Sequence, residues 1–165
     1  WKRQGIPHRL VIAGKWGWGT GPVRAALAAA PFPREIVLTG YVPQAELPSL
    51  MAGADLLLMP SRYEGFGLPA LEAMALGVPV AVSDQGALPE AVGPAGVVLP
   101  LRDSRWESEI PALLRRPDRL SALATAGRAW AAAHTWQRAA EGLLESFAPA
   151  ARARSAVDAQ QPRGG

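Results

Sequence analysis

The chain has 165 residues, 49% of them hydrophobic and 19% charged, with a formal net charge of +3. That is enough for one domain with a real core and too little for two full nucleotide-binding domains. The sequence has no cysteine, which excludes disulfides, thiolate metal sites and cysteine nucleophiles, and no apolar run approaches the roughly 20 residues of a membrane span.

Short apolar runs at residues 10–13, 36–39, 55–60, 78–83 and 96–99 read as strands. They are apolar on both faces, as in a parallel sheet covered by helices on both sides. Helices are expected between them. Pro22 opens one through residues 23–30, with proline at a favoured first position. The others span residues 44–52, 68–76 and 87–92, and Gly77 is the expected C-terminal cap of the third. Each connection suits a right-handed crossover. The expected fold class is α/β, a Rossmann-like parallel sheet with flanking helices.

After Pro100 only helical patterns remain, over residues 104–116, 118–133 and 136–147. Leu113, Leu114, Leu120 and Leu123, then Leu143, Leu144 and Phe147, form apolar stripes at helical spacing. Residues 1–148 are expected to form the domain. Residues 149–165, rich in Ala, Arg, Gln and Gly, are expected to be a disordered tail. The basic residues are nearly all arginine (Lys2 and Lys15 are the only lysines) and scattered. They read as a solvated surface, and no nucleic-acid partner is expected. The chain opens on Trp1 without a signal-peptide pattern, and the expectation is a fragment of a longer protein.

In an open parallel sheet, ligands bind beyond the C-terminal ends of the strands. Residues 14–21, 40–43, 61–68 and 84–86 fall there. The third segment is the most informative: a strand ends, a loop with Gly65 and Gly67 turns, and a helix starts near Pro69. Free N–H groups at such a helix start favour an anion such as phosphate. Glu64 in the loop and Glu72 about one turn into the helix add two carboxylates near the same helix N-terminus. Carboxylates repel phosphate but accept hydroxyl pairs. Amides for phosphate beside carboxylates for diols describe a nucleotide sugar. The competing reading is a solvated Glu64 and a helix-solvating Glu72 around a sterically required glycine turn. No His, Asp and Glu group has metal-ligand spacing.

Glu64 and Glu72 resemble the E-x7-E motif of retaining glycosyltransferases of the GT-B fold, family 4 (glycosyl transferases group 1). The surrounding SRYEGFGLPALEAMALGVPVAVSDQGALPEAVGPAGVVL is similar to that family's donor-binding core. LVIAGKWGWG, GYVPQAELPSL and TWQRAA are similar to neighbouring segments, so the resemblance runs from about residue 10 to 147. It implies that Glu64 is the catalytic-site carboxylate on the donor sugar and that Glu72 binds the ribose hydroxyls. The backbone N–H groups of Gly65, Phe66, Gly67 and Leu68 would hold the sugar and diphosphate. The backbone of Tyr41 and Val42 would meet the base, with Gly14 and Lys15 bordering the nucleotide pocket.

The implied activity is transfer of a hexosyl group, with retention, from a GDP- or UDP-linked donor, with no cofactor and no metal. The acceptor (a sugar, lipid or polysaccharide) is open, and the wording leans toward mannosyltransferase-like members. Two alternatives stay open: a non-catalytic nucleotide-sugar-binding module and a sugar-nucleotide epimerase of related fold. Family members carry a further strand and helix before the LVIAG strand, with an Arg and a Lys that hold the diphosphate, and a whole N-terminal acceptor domain. Neither is in this chain, and Lys2 and Arg3 do not match those basic residues. The missing strand would be central in the sheet, its loss exposing strand edges, and the fragment alone is expected to be inactive. The resemblance implies a cytoplasmic protein, peripheral at the membrane in some members.

Trp16 and Trp18 flank Gly17 in a loop at the binding edge and are read mainly as packing over it, with stacking on a ligand the alternative. Asp84 is a candidate pocket residue and Glu90 a structural one. His8 and His134 read as surface or packing residues, and Trp136 as packed. Ser61 and Ser83 lack a histidine partner and a nucleophile-elbow motif, which argues against a hydrolase triad.

Overall fold

The computed structural model describes residues 1–147. The tail expected at 149–165 lies outside the described residues. Five strands and six main helices alternate as expected: β1 Leu10–Ala13, α1 Gly21–Ala28, β2 Ile36–Gly40, α2 Leu47–Ala52, β3 Leu57–Met59, α3 Leu68–Leu76, β4 Val80–Ser83, α4 Leu88–Val92, β5 Val97–Leu99, α5 Arg105–Leu114 and α6 Pro117–Ala132. Residues 136–147 form a further helix, α7.

Local chemistry trims several elements. Residues expected to begin α2 form a turn, with the Glu46 and Leu47 N–H groups both donating to the Pro43 carbonyl. β4 starts later than its apolar run because the Val78 N–H donates to the Ala73 carbonyl of α3. With Gly77 left-handed at φ +78°, this is the Schellman closure that ends a helix.

All ladders are parallel, but they form two groups rather than one sheet: β1 pairs with β2, and β3, β4 and β5 pair in that order. β1 and β3 therefore each keep one edge outside any ladder. The break matters for packing. Every residue of β4 is buried, and the core gathers around it: Met74 of α3, Val80 and Val82 of β4, Leu88 and Val92 of α4. Ala81, on the opposite face of β4, packs with Leu99 and Ile110, the period-2 alternation of a strand covered on both sides. α6 lies against α3, and Trp130 of α6 donates its indole N–H to the Ala91 carbonyl of α4 at 2.8 Å.

By contrast, β1, β2 and α1 contain no buried residue. Leu10 and Val11 of β1 are 37% and 46% exposed. The segment before β1 stitches the two parts together. Lys2 pairs with Glu35 at 2.9 Å, before β2, while the Arg115 guanidinium donates to the Gln4 carbonyl from the end of α5. His8 meets Asp55, just before β3, at 3.5 Å. The N-terminal ends of β1 and β3 thus lie side by side without a ladder between them.

Two expectations fail. Trp136 does not pack: it is 79% exposed, and Leu143, Leu144 and Phe147 of α7 are exposed with it. An apolar stripe shows that a face can be buried, not that a cover is present. Among the described residues no helix is long and apolar enough to cross a membrane.

Candidate active site

The loop after β3 is built as its glycines require. Gly67 adopts φ +86° as the residue before α3, a conformation that costs any L residue about 1–2 kcal/mol. A Cβ there would lie 3.0 Å from Leu88 Cδ2 and 3.3 Å from Ala91 Cβ. The backbone therefore rests directly on α4, which only glycine allows. The Gly67 carbonyl accepts from the Ala70 and Leu71 N–H groups and starts the helix.

Among the described residues, the N–H groups of Gly65, Phe66, Gly67 and Leu68 donate no intramolecular hydrogen bond. Pro69 follows and has no N–H to add. Four consecutive amides at the start of a nine-residue helix are thus free to meet an anion. Glu64 is half-buried beside them and Glu72 is exposed on α3. The Ser61 hydroxyl donates to Glu64 Oε1 at 2.9 Å, which leaves the other carboxylate oxygen available.

The remaining predicted residues form a second group at the ends of β1 and β2. The Gly14 N–H donates to the Gly40 carbonyl at 2.8 Å and joins the two loops. The Lys15 ammonium sits over the Tyr41 ring, 4.6 Å from its centroid, a cation–π contact that holds a positive charge at this edge. Val42 is half-buried next to it. No hydrogen bond joins this group to the Glu64 loop among the described residues. Trp16 stacks with the Arg24 guanidinium at 4.3 Å, whereas Trp18 is fully exposed, so packing over the loop accounts for the first and not the second.

Asp84 faces an open hollow that Arg62, Arg102 and Ser104 also line. Its carboxylate is already engaged, by the Gln85 side-chain amide at 2.6 Å and the Leu101 N–H at 3.1 Å. These bonds hold its pKa below the ordinary aspartate value, the Gln85 contact contributing most. Asp84 is thus tied to the β5–α5 connection. Glu90 is exposed in the first turn of α4. His134 stacks on Trp130 with centroids 4.6 Å apart, a packing role. Among the described residues no three His, Asp or Glu side chains group as metal ligands.

Comparison with known families decides what this frame belongs to. Residues 2–116 match the family model described as glycosyl transferases group 1. The chain belongs to that family. Among its relatives, the D-inositol 3-phosphate glycosyltransferase of Segniliparus rotundus is 40% identical over 125 residues, covering 74% of this chain and 28% of that protein. The GDP-mannose-dependent alpha-(1-6)-phosphatidylinositol dimannoside mannosyltransferase of Mycobacterium tuberculosis is 34% identical over 158 residues, covering 94% of this chain and 40% of that protein. The chain therefore spans well under half the length of these relatives.

Among solved structures, sucrose-phosphate synthase from Thermosynechococcus elongatus superposes with a TM-score of 0.78 at 25% identity, over 92% of this chain and 41% of that one. Anabaena HepE, solved in complex with UDP, gives 0.72 at 22% identity over 84% and 41%. The fold is that of the GT-B glycosyltransferases.

The geometry also brings residues against the Glu64 loop that spacing alone does not single out: Ser61, Ser83 and Gly86. Ser61 and Gly86 fall within segments expected at the strand ends, but little in the sequence ties either of them, or Ser83, to Glu64. The spacing of Ser61, three residues before Glu64, is the one signal that could have marked it.

Proposed function

We propose that this chain is the donor-binding part of a glycosyltransferase that moves a hexosyl group from a nucleotide-diphosphate sugar to an acceptor with retention. The observation that carries the reading is the run of four free amides, Gly65 to Leu68, between the two carboxylates of the family motif. In the reaction, the bond between the anomeric carbon and the terminal phosphate oxygen breaks. Negative charge grows on the departing diphosphate and positive charge on the sugar ring. Preorganised N–H groups and the α3 dipole meet the first. A carboxylate fixed on a sugar hydroxyl orients the ring and favours the cationic centre.

Glu64 is assigned to the donor sugar and Glu72 to the ribose hydroxyls. Tyr41 and Val42 are assigned to the base, and Gly14 and Lys15 to the rim of the nucleotide pocket. The donor is GDP- or UDP-linked; the mannosyltransferase among the relatives supports a GDP-linked mannosyl group. The acceptor domain is assigned to a part of the protein outside this chain.

The test is a pair of substitutions in the full-length polypeptide. Glu72→Ala removes a charged acceptor of hydroxyl bonds worth about 1.5–3 kcal/mol each, so calorimetry should show nucleotide affinity falling roughly 10- to 100-fold. Glu64→Ala should spare nucleotide binding and reduce sugar transfer. Both variants at wild-type levels in both assays would sink the assignment.

A further inference from the structure

We propose that the turn joining β4 to α4, acting through Ser83 and Gly86, is the positioning element that sets the Glu64 carboxylate against the donor sugar; this rests on the donor-site reading above. Ser83 closes β4 and is the one fully buried polar side chain among the described residues. A hydroxyl buried there needs an acceptor, and it finds one 22 residues away: Ser83 Oγ donates to the Ser61 carbonyl at 2.6 Å. The Ser61 hydroxyl then donates to Glu64 Oε1 at 2.9 Å. Two hydrogen bonds thus run from the central buried strand of the ladder to one oxygen of the carboxylate.

The main chain of Glu64 is held from the same turn. The Ala87 N–H donates to the Glu64 carbonyl at 3.3 Å. Gly86, at φ +58°, lies so close that a Cβ would stand 2.8 Å from the Glu64 carbonyl oxygen and 3.1 Å from its nitrogen. Leu88 and Ala91 then support Gly67 at the other end of the loop. Both the backbone and the side chain of Glu64 are therefore indexed to residues 83–87. A glutamate has several rotatable bonds, and an exposed one samples many rotamers. A fixed Oε1 leaves Oε2 pointing in one direction, which is what preorganised recognition of a sugar hydroxyl needs.

None of Ser61, Ser83 and Gly86 is assigned a contact with the donor, so their substitution reads positioning alone. The experiment uses the full-length polypeptide and two readouts. Calorimetry with GDP-mannose against GDP, and UDP-glucose against UDP, gives the factor by which the sugar tightens binding. Amide hydrogen exchange at Ala87, Ala70 and Leu71, whose N–H groups donate to the Glu64 and Gly67 carbonyls, reports how firmly the loop is held.

Ser83→Ala and Ser61→Ala are expected to cut the sugar factor about tenfold, beyond any loss of bare-nucleotide affinity from the loosened loop amides. Ser61→Thr, which keeps the hydroxyl, should restore it. Ser83→Ala should also speed exchange at Ala87, Ala70 and Leu71 while the later turns of α3 stay protected. Gly86→Ala displaces the Glu64 peptide with both serines intact and should give the same two effects. A general structural role would lower both affinities together and leave their ratio alone, and that result overturns the proposal. So do folded Ser83→Ala and Gly86→Ala variants with wild-type ratio and wild-type exchange. If the wild type binds neither nucleotide pair, the donor-site reading fails; exchange then decides the positioning claim, faster exchange in Ser83→Ala supporting it and unchanged exchange overturning it.

Discussion

Gly67→Ala tests whether the loop between β3 and α3 is held by packing on α4. Two costs follow from the structure. Alanine at φ +86° carries the left-handed penalty, about 1–2 kcal/mol. Its Cβ would also sit 3.0 Å from Leu88 Cδ2. Leu88 is fully buried and cannot swing into solvent, so the clash behaves as core overpacking, about 1–3 kcal/mol. The expected loss is about 2–5 kcal/mol.

Leu88→Ala alone should cost about 2–5 kcal/mol, because it removes buried carbons from the cluster of Met74, Val82 and Val92. The two changes should not add. Once the Leu88 side chain is gone, the steric part of the Gly67→Ala cost goes with it and the backbone part stays. The double variant should therefore be more stable than the sum of the singles predicts, by about 1–3 kcal/mol. Urea denaturation of wild type, both singles and the double, at constant slope, measures this. Additivity within about 0.5 kcal/mol would refute the contact between Gly67 and Leu88 as the source of the strain.

Two further outcomes follow from the links around the site. Trp130→Phe keeps an aromatic ring but loses the indole N–H that reaches the Ala91 carbonyl at 2.8 Å. Thermal denaturation should show a loss of about 1 kcal/mol, and no measurable change would remove this link between α6 and α4. Asp84 has a pKa held below its ordinary 3.8, so its bonds to Gln85 and Leu101 stabilise the fold above that value and fade as pH falls through and below it. The difference in unfolding midpoint between wild type and Asp84→Ala should be constant near neutrality and shrink below about pH 4; a difference unchanged at pH 3 contradicts the assignment.

The strand positions were legible because each apolar run is short, β-branched or Leu-rich, and has a glycine or proline at one end at least. Glu64 and Glu72 were legible through their spacing around a glycine turn. What could not be read is anything that depends on two distant segments meeting. The Ser83 hydroxyl reaches Ser61 only because β3 and β4 are neighbours in register, Leu58 opposite Ala81 and Met59 opposite Val82. A lone serine at a strand end carries no mark of that. The outcome for Trp136, Leu143, Leu144 and Phe147 differs for a related reason: periodicity defines a face and says nothing of its partner. Trp18 shows the same limit, since loop aromatics look alike in sequence whether they stack, as Trp16 does on Arg24, or stand free.

The proposed site draws on two parts of unequal firmness. Glu64, Glu72 and the free amides belong to the part built on β4, where strand, α3 and α4 share a buried apolar core. Gly14, Lys15, Tyr41 and Val42 belong to β1 and β2, which bury no residue and whose polar links to the rest run through Gln4 and His8 of the preceding segment. Exposed hydrogen bonds and ion pairs of this kind contribute little each, so local opening should be easier there than around β4. The assigned roles follow the same division. Groups that must meet growing charge at the scission point need fixed geometry, because misplacement by about 1 Å is costly in rate. Groups that border the base contribute mainly to binding and tolerate adjustment. The packing of β4, α3 and α4 thus puts rigidity where the proposed chemistry requires it.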